Sequence, residues 1–581
     1  MLHHIFRTKP MEVIEAEELK EELPRELGLW DLIAIGVGGT VGSGVFATTG
    51  DIISGAAGPA AFLSWVVAGL ACVLSGFAYM EMSSLIPSSG STYAYSYHVL
   101  GELPAAIAAW LLTLEYGMSG AGVARSWAQK VQEWAEENGG SYGWLNDPSV
   151  NFLGCLVMVV STVVLLGGLR FGKVFINVVT VTKVAVVLFI IVAGFYASSS
   201  DNLKPFIPAR DDDKFGVQGI FLGASQAFFG FVGFDEVCCM AAEARNPRKI
   251  MPRAVIGTIL GTMFLSSFAS LALAGMLPYN IATLTNSTVS YSFTGGFDHV
   301  GYSTAKLIVH IGECGTMPIV VFIAFLAQPR LLYAMSVDGL LPKVFGKVDA
   351  NGNLFWSTLI SGTFLALVAL LVPFSTLWNM VSFGILVSFI MTNCCLILVR
   401  TRDASPRLSY SLTGAIVALA CAAMFLFQKA YVVGGSDAGL VVGMVFLAAT
   451  LATAAVLFAK CPQNSGEANM FRAPLVPFVP TLAILVNWYL IAQLDEKDIA
   501  RGCIWIAAAI VSYFLYGFRF SAGRDGWAAT LAHVMPGLNE VRPSMSYMMS
   551  GHDHGSTLKA PLLPTAVPAT EMTDDSIKQA S

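Results

Sequence analysis

Two glycine-rich runs interrupt apolar stretches of the chain and leave backbone polar groups where few partners are available. The first run, 36–44, has five glycines in nine positions, inside an apolar stretch from about 29 to 53. The second, 229–233, lies in an apolar stretch at about 219–242. We predict that a membrane-length helix breaks at each run, because glycine is a poor helix former. The freed N–H and C=O groups must then be buried in protein or line a cavity.

Paired breaks in corresponding positions of two halves indicate a substrate site of the kind found in secondary transporters. An alternative for the first run is a helix-packing face, because Gly38 and Gly42 have the GxxxG spacing. The second break favours the substrate site over the packing face.

Three ionisable residues lie within apolar stretches: Lys183, Glu115 and Asp235. Burying a charged side chain inside a membrane costs free energy, so a charged residue in a membrane segment is by default a candidate functional residue. Lys183 is too deep in its stretch, around 174–197, to extend its ammonium to water. We therefore expect all three side chains to be buried against other helices.

Composition assigns the chain to the polytopic membrane proteins. It is 55% hydrophobic and 12% charged with a mean hydropathy of +0.66, whereas soluble domains are about 25% charged. Most of the ten cysteines lie in apolar runs, where we expect small packing residues rather than disulfides or metal ligands. The glutamate-rich start, 1–27, has no signal-peptide pattern and is predicted to be a cytosolic, partly helical segment.

A bilayer crossing needs about 20 apolar residues, and the chain offers fourteen candidate segments. They are 29–54, 59–86, 103–124, 150–168, 174–197, 219–242, 254–277, 303–335, 356–372, 377–399, 411–429, 439–459, 475–494 and 503–520. Lys and Arg are enriched in the loops that share a side with the N-terminus, so both termini are predicted to be cytosolic. The sequon Asn286-Ser-Thr288 falls in a loop predicted outside, although a lone sequon carries little weight.

Five motifs, taken in order, resemble the amino acid–polyamine–organocation superfamily. They are 36–46, Pro87–Tyr95, Phe228–Asp235, Ala242–Pro247 and Ala334–Pro342. The fourteen segments and the late run from Pro474 through Asn487 resemble the cationic amino acid transporter family within it. The resemblance covers roughly 27–517.

This resemblance implies an all-α fold with a LeuT-like five-plus-five inverted repeat, helices 1 and 6 being broken, and four additional helices. The backbone amides near Ser43 and Gly44 would bind the substrate carboxylate at a helix start. Carbonyl groups around Thr40 and from Phe228 to Gly230 would accept hydrogen bonds from the substrate ammonium. Glycine suits such a site, because a Cβ would obstruct the approach.

The resemblance also assigns roles to side chains. Lys183 occupies the position that binds sodium in LeuT-like relatives, where an ammonium can replace the cation and exchange a proton, which predicts proton coupling. Glu115 either counters a cationic substrate or ties helices together. Asp235, after Gly233, either starts a half-helix or contacts substrate. The three phenylalanines of the second break either cover the substrate as a gate or pack in the core; they are Phe228, Phe229 and Phe231.

Four residues depart from the family pattern. Ala244 replaces the second of two consecutive glutamates, and Ile385 stands where a threonine is expected. Glu236 and Glu313 are acids at positions where we expect uncharged residues. Additional acidic residues beside a binding cavity would suit a substrate with a cationic side chain.

The predicted function is secondary-active transport of amino acids, cationic ones such as lysine, arginine and ornithine, coupled to protons and working by alternating access. The alternatives are an amino acid-binding nutrient receptor and a facilitator without proton coupling. We expect no enzymatic activity, cofactor, metal or nucleic-acid partner. The partners are the amino acid, protons and the bilayer, of either the plasma membrane or a vacuolar or lysosomal membrane. The predicted divisions are a cytosolic segment 1–27, a transporter core 28–400, additional helices 401–520 and a flexible cytosolic tail 521–581.

Overall fold

The structure is a computed structural model that describes most of the chain. The described residues are 5–14, 27–41, 43–88, 90–137, 150–167, 173–210, 214–281, 291–349, 353–464 and 470–527. All of them belong to one compact unit, 1–530. Within these ranges the secondary structure is helical, with no strand beyond isolated bridges such as Leu27 with Ala244. The sequon at Asn286 and most of the predicted tail, 528–581, lie outside the described residues.

The helices follow one another with short connections. In chain order they are α1 (Leu29–Thr40), α2 (Ser43–Ile52), α3 (Ala61–Leu85), α4 (Thr92–Val99), α5 (Glu102–Thr113), α6 (Ser119–Glu137), α7 (Phe152–Leu166), α8 (Lys173–Ala197), α9 (Gly216–Ala227), α10 (Phe234–Cys239), α11 (Pro247–Met276), α12 (Phe293–His299), α13 (Ser303–Val337), α14 (Phe355–Leu371), α15 (Phe374–Arg400), α16 (Pro406–Phe425), α17 (Asp437–Lys460), α18 (Phe478–Gln493), α19 (Glu496–Ser512) and α20 (Phe518–Phe520).

Each predicted membrane segment contains helix. In the described part of the chain, nine helical segments are long and apolar enough to cross a membrane, and four shorter apolar helices accompany them. These findings confirm an all-α polytopic membrane protein. The number fourteen stays a prediction.

Both predicted breaks are present. α1 ends at Thr40, Val41 is extended with φ −77° and ψ 128°, and α2 begins at Ser43. In the sixth segment, α9 passes into a 3₁₀ turn at Phe228–Phe231, and α10 starts after Gly233. Gly233 has φ +122°, a conformation that side chains with a Cβ rarely adopt.

The broken segments are surrounded by long helices. α11 packs against α3 and α1, and α8 packs against α1 and α11. α1 and the end of the sixth segment are also tied by backbone hydrogen bonds, from Leu27 N to Glu243 O at 3.1 Å and from Arg245 N to Leu27 O at 3.1 Å. The two breaks are therefore held at the centre of the helix assembly.

The first and last described residues pack on one end of this assembly. Lys9 Nζ lies 2.6 Å from Asp338 Oδ1, after the end of α13. Tyr93 of α4 donates to the same carboxylate at 2.5 Å, and Ala522 N donates to Asp338 O at 2.9 Å. The first seven residues of the predicted tail, 521–527, are thus partly folded onto the helices.

A buried ion pair joins the predicted core to the additional helices. Arg400 Nε, at the end of α15, lies 2.6 Å from Glu81 Oε1 in α3. Ala473 N, in the connection before α18, donates to Glu81 Oε2 at 2.7 Å. One carboxylate therefore binds groups from both sides of the predicted boundary at 400.

The ten cysteines are unpaired, and they differ in exposure. Most are buried or half-buried, as expected for packing residues. Cys503, in α19, is exposed, so the packing prediction is wrong for it.

Candidate functional site

The two breaks cross at close backbone contact. A Cβ added at Gly44 would lie 2.0 Å from the Cα of Gly230, and one added at Gly233 would lie 3.3 Å from the backbone N of Thr40. Gly230 also faces the ring of Trp65, which would lie 2.4 Å from its added Cβ. The predicted residues of the first and second runs are therefore neighbours in space.

This crossing gives the glycines a packing role in addition to the predicted substrate role. Gly44 has no room for a Cβ because the Gly230 backbone occupies that space. Gly38 is close-packed as well, because its added Cβ would lie 2.2 Å from Thr180 Oγ1 of α8. Gly38 thus has the packing contact that the alternative for the first run predicts, and the helix also ends before Val41.

Lys183 is buried and bonded to the first broken helix. Its Nζ donates to the Gly38 carbonyl oxygen at 2.5 Å, and 1% of the residue is exposed. The nearby charge that acts on it is the carboxylate of Glu236. Glu236 Oε2 in turn lies 3.2 Å from the Cβ position of Gly39. The Lys183 ammonium and the Glu236 carboxylate therefore both lie beside the last turn of α1.

Glu115 and Asp235 form a second buried acidic group. Both residues are at most 1% exposed, and their carboxyl groups interact electrostatically with each other. Glu115 lies in a π-helical turn, Leu114–Met118, between α5 and α6. Their four carboxyl oxygens have no hydrogen-bond partner of good geometry among the described residues. Buried carboxyl groups without donors are costly, which is typical of functional positions.

A small cavity lies beside Glu236. Its volume is about 10 Å³, near the minimum for a single water molecule. Its lining includes Gly39, Ser119, Phe229 and Glu236. Ligand pockets are commonly about 300–1,000 Å³. Binding of a free amino acid here therefore requires neighbouring side chains to move.

The three phenylalanines of the second break have different surroundings. Phe229 lines the cavity and contacts Phe374 edge to face at 5.9 Å. Phe228 packs on Phe389 at 6.1 Å, and Phe231 packs on Trp65 at 5.9 Å. The gate interpretation fits Phe229, and core packing describes the contacts of the other two.

Two further predicted residues belong to the first break, Thr40 and Ser43. The Thr40 hydroxyl donates to Gly36 O at 2.9 Å and lies 2.7 Å from Thr262 Oγ1, so it is turned toward α11. The side chain of Ser43 and all of Gly42 lie outside the described residues. The carboxylate-binding role of Ser43 and Gly44 stays a prediction.

The sequence analysis did not assign two polar residues of this region. Ser119 lines the cavity, and its position one helical turn after Glu115 was an available signal. Glu236 is one of the unexpected acids, and its place beside the last turn of α1 depends on how α10 approaches α1. Glu313, the other unexpected acid, is fully buried in α13.

The chemistry available at the breaks is that of buried charged groups. Around the breaks, the described residues supply three buried carboxyl groups and one buried ammonium. Among the described residues, no group of three or more His, Cys, Asp or Glu side chains is placed to hold a metal ion. Charged groups at this depth are candidates for a functional site.

The fold and the site together are those of a polytopic secondary transporter, and comparisons with known proteins agree. A family model described as amino acid permease matches residues 27–439, and one for the C-terminus of such permeases matches residues 471–521. The chain belongs to the amino acid permease family, in the amino acid–polyamine–organocation superfamily.

Several relatives cover nearly the same length. A methylthioribose transporter of Bacillus subtilis (strain 168) is 34% identical over 70% of this chain and 88% of the relative. Cationic amino acid transporter 2, vacuolar, of Arabidopsis thaliana is 28% identical over 91% of this chain and 95% of the relative. A branched-chain amino acid permease of B. subtilis is 29% identical over 89% of this chain and 98% of the relative. The family and these relatives are transporters rather than enzymes, so the chain is an integral, multi-pass transporter.

Proposed function

We propose that the protein transports cationic amino acids in symport with protons, by alternating access. The single observation that carries this proposal is the charge balance at the crossed breaks. Glu115, Asp235 and Glu236 are buried there with Lys183 as the described cation. A substrate that carries two positive charges and one negative charge would reduce the excess of carboxylates, because an opposite charge favours the ionised form of a buried acid.

The proposed binding mode follows the two breaks. Amides at the start of α2, at Ser43 and Gly44, would bind the substrate carboxylate, because helix starts favour anions. Carbonyl groups next to the breaks would accept from the ammonium. Phe229 would move to open the cavity, which is too small for an amino acid in the structure. The position of the breaks in segments one and six supports a five-plus-five inverted repeat, with residues 28–400 as the transporting core and 401–520 as additional helices.

Proton coupling would reside in Lys183. Its contact with the Gly38 carbonyl joins it to the helix that must rearrange. If Lys183 bound a proton in one conformation and released it in the other, the proton gradient would be coupled to substrate movement. Both termini would be cytosolic, in a plasma or vacuolar membrane. A facilitator that has the same fold would need no such exchange.

Uptake into vesicles that contain the purified full-length protein tests the proposal. The radiolabelled panel contains lysine, arginine, ornithine, alanine, leucine and methylthioribose. Leucine and methylthioribose are included because one relative is named for branched-chain amino acids and another for methylthioribose. We expect the three cationic amino acids to accumulate, and to do so only with an inward proton gradient. Accumulation of leucine or methylthioribose in their place would refute the cationic assignment. Uptake that ignores both the gradient and a protonophore would refute proton coupling.

A further inference from the structure

Both ends of the described chain meet beside Asp338, at the end of α13. Lys9 Nζ lies 2.6 Å from Asp338 Oδ1, and the two side chains are 6% and 3% exposed. The Lys9 N–H also donates to Tyr97 O of α4 at 3.0 Å, and its ammonium lies 5.7 Å from the centre of the Tyr97 ring. Tyr93 of α4 donates to the second carboxylate oxygen of Asp338 at 2.5 Å. Lys9 and Asp338 therefore join α4 to α13.

The segment 518–527, which follows α19, packs on both helices at this junction. Ala522 N donates to Asp338 O at 2.9 Å. The Trp527 side chain is buried, and its ring contacts the Tyr97 ring edge to face at a centroid distance of 5.9 Å. The segment therefore contacts both residues to which the N-terminal segment is anchored.

The N-terminal segment and the segment 518–527 also touch each other. A Cβ added at Gly523 would lie 2.8 Å from Arg7 Cδ. Arg7 Nη1 lies 3.7 Å from Glu102 Oε2 at the start of α5, and Tyr513 donates to Glu102 Oε1 at 3.2 Å. The N-terminal segment is thus enclosed between the helices on one side and the end of the described chain on the other.

α4 and α13 both adjoin the second half of the broken sixth segment. The thiol of Cys239, in α10, lies near Ser91, the residue before α4. On the other side, Arg330 Nη1 of α13 lies 3.5 Å from Glu243 Oε1, at the end of the sixth segment. Separation of α4 from α13 would therefore expose this part of the sixth segment to water.

The strength of the contact between Lys9 and Asp338 depends on the exclusion of water. An exposed ion pair contributes little to stability, whereas separation of a buried pair leaves an uncompensated buried charge and is strongly unfavourable. The segment 518–527 helps to bury this pair, because it packs on Asp338 and on Tyr97. Its release would hydrate the pair and weaken the connection between α4 and α13.

We propose that the segment 518–527 is a latch that keeps one end of the transporter closed by excluding water from the ion pair of Lys9 and Asp338. In alternating access the two ends open in turn, and opening of this end requires α4 and α13 to separate. The latch must release before they do. In the predicted orientation this end is cytosolic. The proposal rests on alternating access in the proposed function, and it is independent of which substrate is carried.

Access of a water-soluble maleimide to Cys239 tests the latch in the full-length protein in detergent. Cys239 is 9% exposed in the closed structure. Every protein carries Cys503→Ser, which removes the exposed thiol, and mass spectrometry measures the labelling rate at Cys239. The assay needs no substrate, so its failure and a failure of the uptake assay are separate results.

The variants weaken either the ion pair or the latch. Lys9→Gln is expected to raise the labelling rate roughly tenfold, the effect of losing one hydrogen bond to a charged group. Trp527→Ala removes the ring contact, and Ala522→Pro removes the N–H donor at the first position of a 3₁₀ turn, where proline fits. Both are expected to raise the rate by a smaller factor, because the hydrated ion pair remains.

Two matched controls are expected to label at the unmodified rate. Trp30→Ala removes a tryptophan that is 79% exposed. Lys306→Gln removes the cation from an ion pair with Asp298, 3.0 Å long, whose carboxylate is 61% exposed. The double variant Lys9→Gln/Trp527→Ala should label at the rate of Lys9→Gln alone, because the latch acts through the ion pair.

Three results would overturn the proposal. The first is an unchanged labelling rate in Trp527→Ala and Ala522→Pro. The second is an equal increase in the two controls, which would indicate general loosening of the protein. The third is a multiplication of the two single effects in the double variant, which would show that the segment acts independently of the ion pair. Melting temperatures establish that each variant is folded, and Ala522→Pro decides the outcome if Trp527→Ala is not.

Discussion

At the scale of single residues, the buried ammonium of Lys183 is the central feature of the site. Its Nζ donates to the Gly38 carbonyl oxygen, and removal of a buried, hydrogen-bonded charged group also removes a structural contact. Substitutions at Lys183 must therefore separate loss of charge from loss of structure.

Lys183→Gln and Lys183→Ala are expected to abolish accumulation against a gradient. Glutamine can still donate to the Gly38 carbonyl but has no proton to exchange. Counterflow exchange should survive in Lys183→Gln at reduced rate, and its uptake should be independent of external pH. Wild-type uptake should rise as external pH falls. Uptake in proteoliposomes at several pH values measures both effects.

Thr182→Ala is the matched control for Lys183, because Thr182 is the preceding residue of α8 and is exposed. Its uptake should keep the wild-type pH dependence. A Lys183→Gln variant that still accumulates substrate would leave Lys183 as a fixed structural charge and the protein as a facilitator.

Glu115→Gln is expected to weaken lysine and arginine more than alanine. The lost attraction is that of a carboxyl group without a donor in the described structure, and such a loss is on the order of tenfold in affinity, or about 1–3 kcal/mol. Glu313→Gln is likewise expected to weaken lysine and arginine binding more than alanine binding. Competition by each amino acid against labelled substrate measures the selectivity.

Glu243→Gln serves as the control for charge, because Glu243 lies 3.5 Å from Arg330 and is partly exposed. It should leave selectivity unchanged. If Glu115→Gln weakens neutral and cationic substrates equally, the residue holds helices together and does not select the substrate.

At the scale of elements, the crossing of the two breaks determines what glycine does there. α2 touches the Phe228–Phe231 turn backbone to backbone, so even one methyl group at Gly44 collides with the chain. Gly44→Leu is expected to abolish substrate binding while the protein stays inserted, because a branched side chain would fill the space beside the amides at the start of α2. The crossing adds a second reason for that loss, because the helices themselves must separate.

Gly44→Ala is therefore expected to lower stability by about 1–3 kcal/mol, the usual cost of overpacking. Gly315→Ala is the matched control, since nothing lies within 4 Å of its added Cβ in α13. The melting temperature of the detergent-solubilised protein should fall for Gly44→Ala and stay at or above the wild type for Gly315→Ala. Equal melting temperatures for Gly44→Ala and the wild type would contradict the crossing.

The sequence predicted the existence of the elements better than their ends. The third segment was predicted at 103–124, but its helix continues to Glu137, because a helix that leaves the bilayer can carry charged residues. The seventh was predicted to begin at 254, whereas α11 begins at Pro247, whose fixed φ suits a helix start. Hydropathy identifies the apolar part of a helix and does not predict how far the helix continues into polar sequence.

At the scale of the whole molecule, composition and motif order were sufficient for the class and the family. The breaks were predictable from glycine content alone. The proximity of Glu115 to Asp235 was not, because the two residues lie on segments that are distant in sequence and meet only in the assembled bundle. The same holds for the contact of Lys183 with the Gly38 carbonyl. The size of the central cavity likewise depends on side-chain positions that no local pattern encodes.

The exposed thiol of α19 offers a native chemical reporter of sidedness. Cys503 lies two residues after Arg501, on the side of the membrane opposite to the termini in the predicted orientation. A membrane-impermeant maleimide should therefore label intact cells that express the protein, and Cys503→Ser should remove the signal, because an accessible thiolate is the reactive species. Labelling that requires permeabilised cells would invert the predicted orientation of the whole protein.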